Sequence, residues 1–80
     1  FVQCFHQDRN GVIWMGSSSG LNRFVAADES FRTYRHDERP GSLSNDNVNV
    51  IYEDRRGTLW LGTNGGLNRF DRRTETFRAY

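Results

Sequence analysis

Few residues in this chain are typed and spaced for covalent chemistry. The two histidines, His6 and His36, fall at unrelated positions and form no ligand pair. Cys4 is the only cysteine, which excludes an internal disulfide and a cysteine-rich metal site. Neither Cys4 nor Ser17 has a base placed beside it, and no Ser/His/Asp order recurs, so the chain reads as non-catalytic and not an enzyme. The carboxylates that stand out are Asp8 and Asp54. Each opens an Asp-x-x-Gly-x-x-Trp segment, completed by Gly11 and Trp14 and by Gly57 and Trp60. A calcium loop needs further carboxylates at alternate positions. Both aspartates are therefore expected to brace tight turns by accepting from the N–H two residues on, with Gly11 and Gly57 closing those turns at positive φ. No metal and no cofactor is expected. Arg23 and Arg69 could hold an anion, but the expected arrangement lays the stem on an aromatic and leaves the head in water.

What positions these residues is a repeat. Residues 8–24 read DRNGVIWMGSSSGLNRF and residues 54–70 read DRRGTLWLGTNGGLNRF, a constant offset of 46 that continues to Phe31/Phe77, Arg32/Arg78 and Tyr34/Tyr80. A period of roughly 40–45 residues is that of a four-stranded propeller blade. Apolar residues make up only 35% of the 80-residue chain, so its six Phe, three Tyr and two Trp must carry the core. The net charge of +1 lacks the basic excess that phosphate binding requires, which argues against nucleic acid as a partner. No apolar run approaches the roughly 18–20 residues needed to cross a bilayer as a helix, so no direct membrane contact is expected.

Each repeat divides into four short runs of β-branched and aromatic residues separated by polar or Gly-containing turns, the signal of consecutive hairpins. The expected strands are 2–6, 12–17, 21–25 and 30–34, then 48–52, 58–63, 67–71 and 76–80. The fold class is all-β: two four-stranded antiparallel propeller blades, part of a larger or self-assembled propeller. Blade 1 covers residues 1–34, an inter-blade linker residues 35–47, and blade 2 residues 48–80. The chain opens at Phe1 without a signal peptide and ends where the second repeat ends, which reads as two whole blades cut from a longer array. Trp14 and Trp60 are both expected to be buried between blades, sugar stacking being the alternative. Gly16 and Gly62 are expected where a bulge or a close backbone approach leaves no room for a side chain.

The stretches 50–63 (VIYEDRRGTLWLGT) and 66–71 (GLNRFD), with the linker run 42–48 (SLSNDNV), closely resemble the two-component regulator propeller repeat. The resemblance covers practically the whole chain. The first copy departs from it at Val25, where the family carries Asp, and at Ser18-Ser19 in place of Asn-Gly. The resemblance implies an extracytoplasmic, periplasmic sensor region of a hybrid two-component regulator that responds to oligosaccharides and passes the signal to domains outside this chain.

Up-and-down strand order adds its own expectation. The linker after the outermost strand and the turn between the second and third strands must share one end of each blade. That end gathers amides, hydroxyls and a few charges suited to sugar hydroxyls. The candidate ligand contacts there are Ser18, Arg35, His36, Asn45, Asn47 and Asn64. The alternative is a structural or self-assembling blade pair with no specific ligand, because a blade is apolar on both broad faces. The partners expected are other propeller blades, from further copies of the chain as a homo-oligomer or from the rest of a longer parent. Phe5, Trp14, Phe24, Trp60 and Phe70 are expected on the open faces. Roughly three or four copies would close a ring of about six or eight blades, within the usual range for propellers.

Overall fold

The structure, a computed structural model, describes residues 2–80. Eight strands follow in order: β1 (Val2–Gln7), β2 (Ile13–Ser17), β3 (Gly20–Val25), β4 (Ser30–Tyr34), β5 (Val48–Glu53), β6 (Leu59–Thr63), β7 (Gly66–Asp71) and β8 (Thr76–Ala79). They form two four-stranded antiparallel meanders, β1-β2-β3-β4 and β5-β6-β7-β8. Every strand boundary lies within one residue of the sequence expectation, because the turns that set them are chemically explicit.

The turns behave as their residues dictate. Asp8 Oδ1 accepts from Asn10 N at 2.9 Å and from Val12 N at 3.0 Å, and Asp54 Oδ1 accepts from Arg56 N and Thr58 N, both at 2.9 Å. Gly11 and Gly57 sit at φ 84° and 82°, the left-handed region a side chain would strain. Gly16 lies opposite a register shift between Val2 and Cys4. A Cβ there would meet Cys4 Sγ and Val48 Cγ1, both at 2.7 Å, so the glycine is required by the approach of β5.

The two sheets pack face to face through β5, which lies against β1 and β2. Trp14, Leu21 and Tyr34 from the first sheet meet Leu59, Leu61, Phe70 and Phe77 from the second in one buried cluster. The rings interlock at 5.0–6.3 Å between centroids, Trp14 edge-on to Phe70 and Tyr34 edge-on to both Phe70 and Phe77, the geometry aromatic quadrupoles favour. Burial pushes the Tyr34 phenol up to about 12, with Arg23 pulling against it and the Glu75 carboxylate adding to it.

Two expectations are corrected here. Trp14 is 1% exposed, whereas Trp60 is only half-buried, because its face of the second sheet has no sheet over it. Trp14 and Phe70, expected on open faces, lie inside the joint between the sheets. The linker also supplies a core residue the sequence did not mark. Leu43 is fully buried in the cluster, and the linker holds it there through Gly41 O, which accepts from Phe77 N at 2.7 Å.

Candidate functional site

The linker, the β2–β3 turn and the β6–β7 turn meet at one end of the two sheets. Asn68 anchors the linker. It is fully buried; its Oδ1 accepts from Ser44 N at 3.1 Å and its Nδ2 donates to Ser44 Oγ at 2.6 Å. Chain direction after Ser44 is thereby fixed, and Asn45 to Asn47 follow as a braced turn in which Asn47 N donates to Asn45 Oδ1 at 2.8 Å.

Next to this turn lies a set of carboxamides. Gln3 Nε2 donates to Asn47 Oδ1 at 2.6 Å and to Val48 O at 2.8 Å. Asn49 Nδ2 donates to Asn64 Oδ1 at 2.7 Å, and Asn64 N donates to Asn47 O at 3.2 Å. Asn45, Asn47 and Asn64 therefore all have their side-chain oxygens engaged. Among the described residues none of their Nδ2 groups donates to protein. Three amide N–H₂ groups are thus left without protein acceptors near the start of β5, an edge strand of its sheet. They can donate to hydroxyl, ether or carboxylate oxygens of a ligand.

The other three sequence candidates lie apart from these, towards the outer strand β4. Arg35 Nε donates to Ser19 O at 3.1 Å, which ties the exposed Ser18–Ser19 turn to the end of β4. His36 N donates to Asp46 Oδ1 at 2.7 Å, and its Nδ1 bonds Leu43 O at 2.8 Å. His36 thus braces the linker, and only Nε2 is free for a ligand among the described residues. Arg35 and His36 border a cleft of 620 Å³ between β4, the linker and the β7–β8 turn, lined also by Arg32, Arg39 and Glu75. Its charges are largely mutually paired: Arg32 Nε meets Glu75 at 2.8 Å and Arg39 meets Asp37 at 2.7 Å. The Arg39 side chain and backbone N–H hold the Asp37 carboxyl below the usual carboxylate range.

Opposite this end sits a second polar network that the sequence did not disclose. Trp14 Nε1 donates to Asp8 Oδ2 at 2.8 Å, and Arg72 reaches over from the other sheet to the same oxygen at 2.8 Å. Arg72 also donates to Gly57 O at 3.0 Å and approaches Glu53 at 3.4 Å, a carboxylate shared with His6 at 3.1 Å. Burial alone would raise the Asp8 pKa. The bonds from Trp14, Val12, Arg72 and Asn10 outweigh it and hold the carboxyl below its ordinary value. This network clamps the two sheets together. Among the described residues no group of three or more His, Cys, Asp or Glu side chains is placed to hold a metal.

Two stacked meanders joined through their inner strands, with the loops of one end presented together, define a pair of β-propeller blades. The family model for the two component regulator propeller matches residues 1–19 and 42–65, just over half of the chain, and the chain belongs to that family. Among solved structures it is similar to the extracellular domain of BT4673 from B. thetaiotaomicron. Two structures of that domain match, one described as part of a hybrid two component system and one as part of a one component system. They are 32% and 34% identical with TM-scores of 0.85 and 0.86, over 99% of this chain. The extracellular domain of the hybrid two component system BT3049 from the same organism is 27% identical, with a TM-score of 0.84 over the full chain. The chain spans 11% of the length of each of those chains. No curated protein matches.

Proposed function

We propose that this chain is a non-catalytic blade pair of an extracytoplasmic sensor propeller, and that the end bearing Asn45, Asn47 and Asn64 contacts an oligosaccharide. One observation carries the reading: three carboxamides whose oxygens are fixed by the protein and whose N–H₂ groups are left to a ligand. Preorganised donors of this kind suit hydroxyl-rich ligands, because the cost of ordering them is met on folding. The family and the extracellular setting of the similar domains support the location and the sensing role; signal output would lie in parts of a parent protein beyond these residues. Ser18, Arg35 and His36 form an outer group that would touch only a ligand long enough to reach β4.

The test is a glycan array probed with a complete propeller containing this blade pair, followed by calorimetry on any hit. Each lost hydrogen bond removes about 0.5–1.5 kcal/mol. Replacing Asn45, Asn47 and Asn64 together by Ala is therefore expected to weaken binding at least roughly tenfold. The same change at Ser18, Arg35 and His36 should have the smaller effect. Binding that survives Ala at all six positions would place the ligand elsewhere.

The alternative, a structural and self-assembling blade pair, is favoured by a different observation: the apolar faces left open on both sheets.

A further inference from the structure

The repeat turns the joint inside the chain into a template for a second joint. In the first sheet Trp14, Gly16, Leu21 and Tyr34 lie on the face that the second sheet covers. Their counterparts 46 positions on are Trp60, Gly62, Leu67 and Tyr80, on the face of the second sheet that nothing covers. There Val50, Tyr52, Trp60, Gly62 and Leu67 line an apolar concavity of 330 Å³, and Tyr52 and Tyr80 are each 60% exposed. The residues that do the covering also have counterparts. Leu59, Leu61, Phe70 and Phe77 match Ile13, Met15, Phe24 and Phe31, on the free face of the first sheet, where Phe31 is 62% exposed.

A polar tie repeats with them. Glu75 stands at φ 58°, a conformation uncommon outside glycine and costly for a bulky side chain. From there it accepts from Tyr34 OH at 3.1 Å and pairs with Arg32 at 2.8 Å across the joint. Glu29, its counterpart, holds φ 55°, yet its carboxylate has no partner among the described residues. The partners it would need are present on the opposite, open face: Tyr80 and Arg78 are the counterparts of Tyr34 and Arg32. Arg78 already lies over the Tyr80 ring at 5.6 Å, as Arg32 lies over Tyr34 at 5.8 Å.

We propose that the Val50/Tyr52/Trp60/Leu67 face binds the Ile13/Met15/Phe24/Phe31 face of a second copy of this chain, head to tail, with Glu29 of that copy bridging Tyr80 and Arg78. Contact between two different faces propagates from copy to copy and closes when the rotation per blade permits, as propellers do. The new joint is weaker than the internal one. The clamp residues Arg72 and Glu53 correspond to Ala26 and Gln7, so Asp54 gains no arginine across it. Assembly is therefore concentration-dependent. The proposal rests on the repeat and not on the ligand reading, and either can fail alone.

Sedimentation velocity across a concentration series tests it with two variants altered at exposed positions, Tyr52→Glu and Phe31→Glu. Each variant buries a carboxylate in the joint without touching the internal core. The unaltered chain is expected to grow in mass with concentration, and each variant alone to stay monomeric. Mixed, they should form a one-to-one complex and stop there, because only one good pair of faces remains between them. Glu29→Gln should shift the assembly midpoint to higher concentration. An unaltered chain that is monomeric throughout overturns the second copy as occupant. A mixture that fails to associate, or variants that assemble alone, overturns the assignment of faces. A Glu29→Gln midpoint identical to the unaltered one overturns the tie to Tyr80 and Arg78.

Discussion

Trp14→Ala lowers the unfolding free energy of this chain by about 3–5 kcal/mol, the range for a large aromatic removed from a core that cannot collapse around the gap. The residue is 1% exposed and contacts Tyr34 and Phe70 at 6.3 and 5.1 Å between centroids. The truncation also takes the indole donor from Asp8. Urea unfolding followed by far-ultraviolet circular dichroism measures the loss; a change below about 1 kcal/mol with the fold intact would mean that Trp14 does not organise the joint. Trp60→Ala is the control. It removes the same side chain from the same strand position, but from a face without a covering sheet, and costs about 1 kcal/mol or less in the monomer. A second sheet docked on that face should bring the two losses together.

Asp8→Ala follows with about 2–4 kcal/mol, since it leaves the N–H groups of Asn10 and Val12 and the indole of Trp14 without their acceptor and strips Arg72 of a partner. Asp8→Asn separates charge from shape. The folded Asp8 carboxyl is held below its ordinary value, so its contribution is fully present above the unfolded pKa of about 3.9 and is lost as pH falls through the folded value. Acid unfolding of the unaltered chain should therefore include a component below about pH 4 that Asp8→Asn removes. An acid limb unchanged by that substitution would show that Asp8 is not linked to folding. Asp54, half-buried and without an arginine side-chain partner among the described residues, provides the comparison.

Strand positions, turn glycines and up-and-down order were readable because each is set by local chemistry: a short acceptor, a positive φ, an alternating apolar run. The unequal fates of Trp14 and Trp60 were not. The two sit in nearly identical sequence, and which of two equivalent faces is covered depends on which repeat comes second in the chain. Leu43 was invisible for another reason: a single apolar residue in a polar run has no periodicity to reveal it. The Asp8–Trp14–Arg72 network needs the strand register and the packing of one sheet on the other, neither of which residue spacing contains. Of the candidate ligand residues, the shared end of the sheets followed from topology alone. The division into an inner amide group and an outer Arg35–His36 group did not, because it turns on which polar atoms the linker uses for its own fold.

Leu43 has a further bearing on where this repeat can be cut. Counted by strands alone, the second unit begins at β5, the counterpart of β1. By packing it begins earlier, since Gly41 bonds β8, Leu43 fills the space between the sheets and Ser44 holds Asn68. A blade transplanted into another array from Val48 onward would arrive with a hole in its covering face and a buried amide without a partner. One excised just after Tyr34 would carry its own wedge and latch. Gene duplications that copy working blades should accordingly break between Tyr34 and Gly41, and shuffled libraries joined there should yield folded products more often than those joined at the strand.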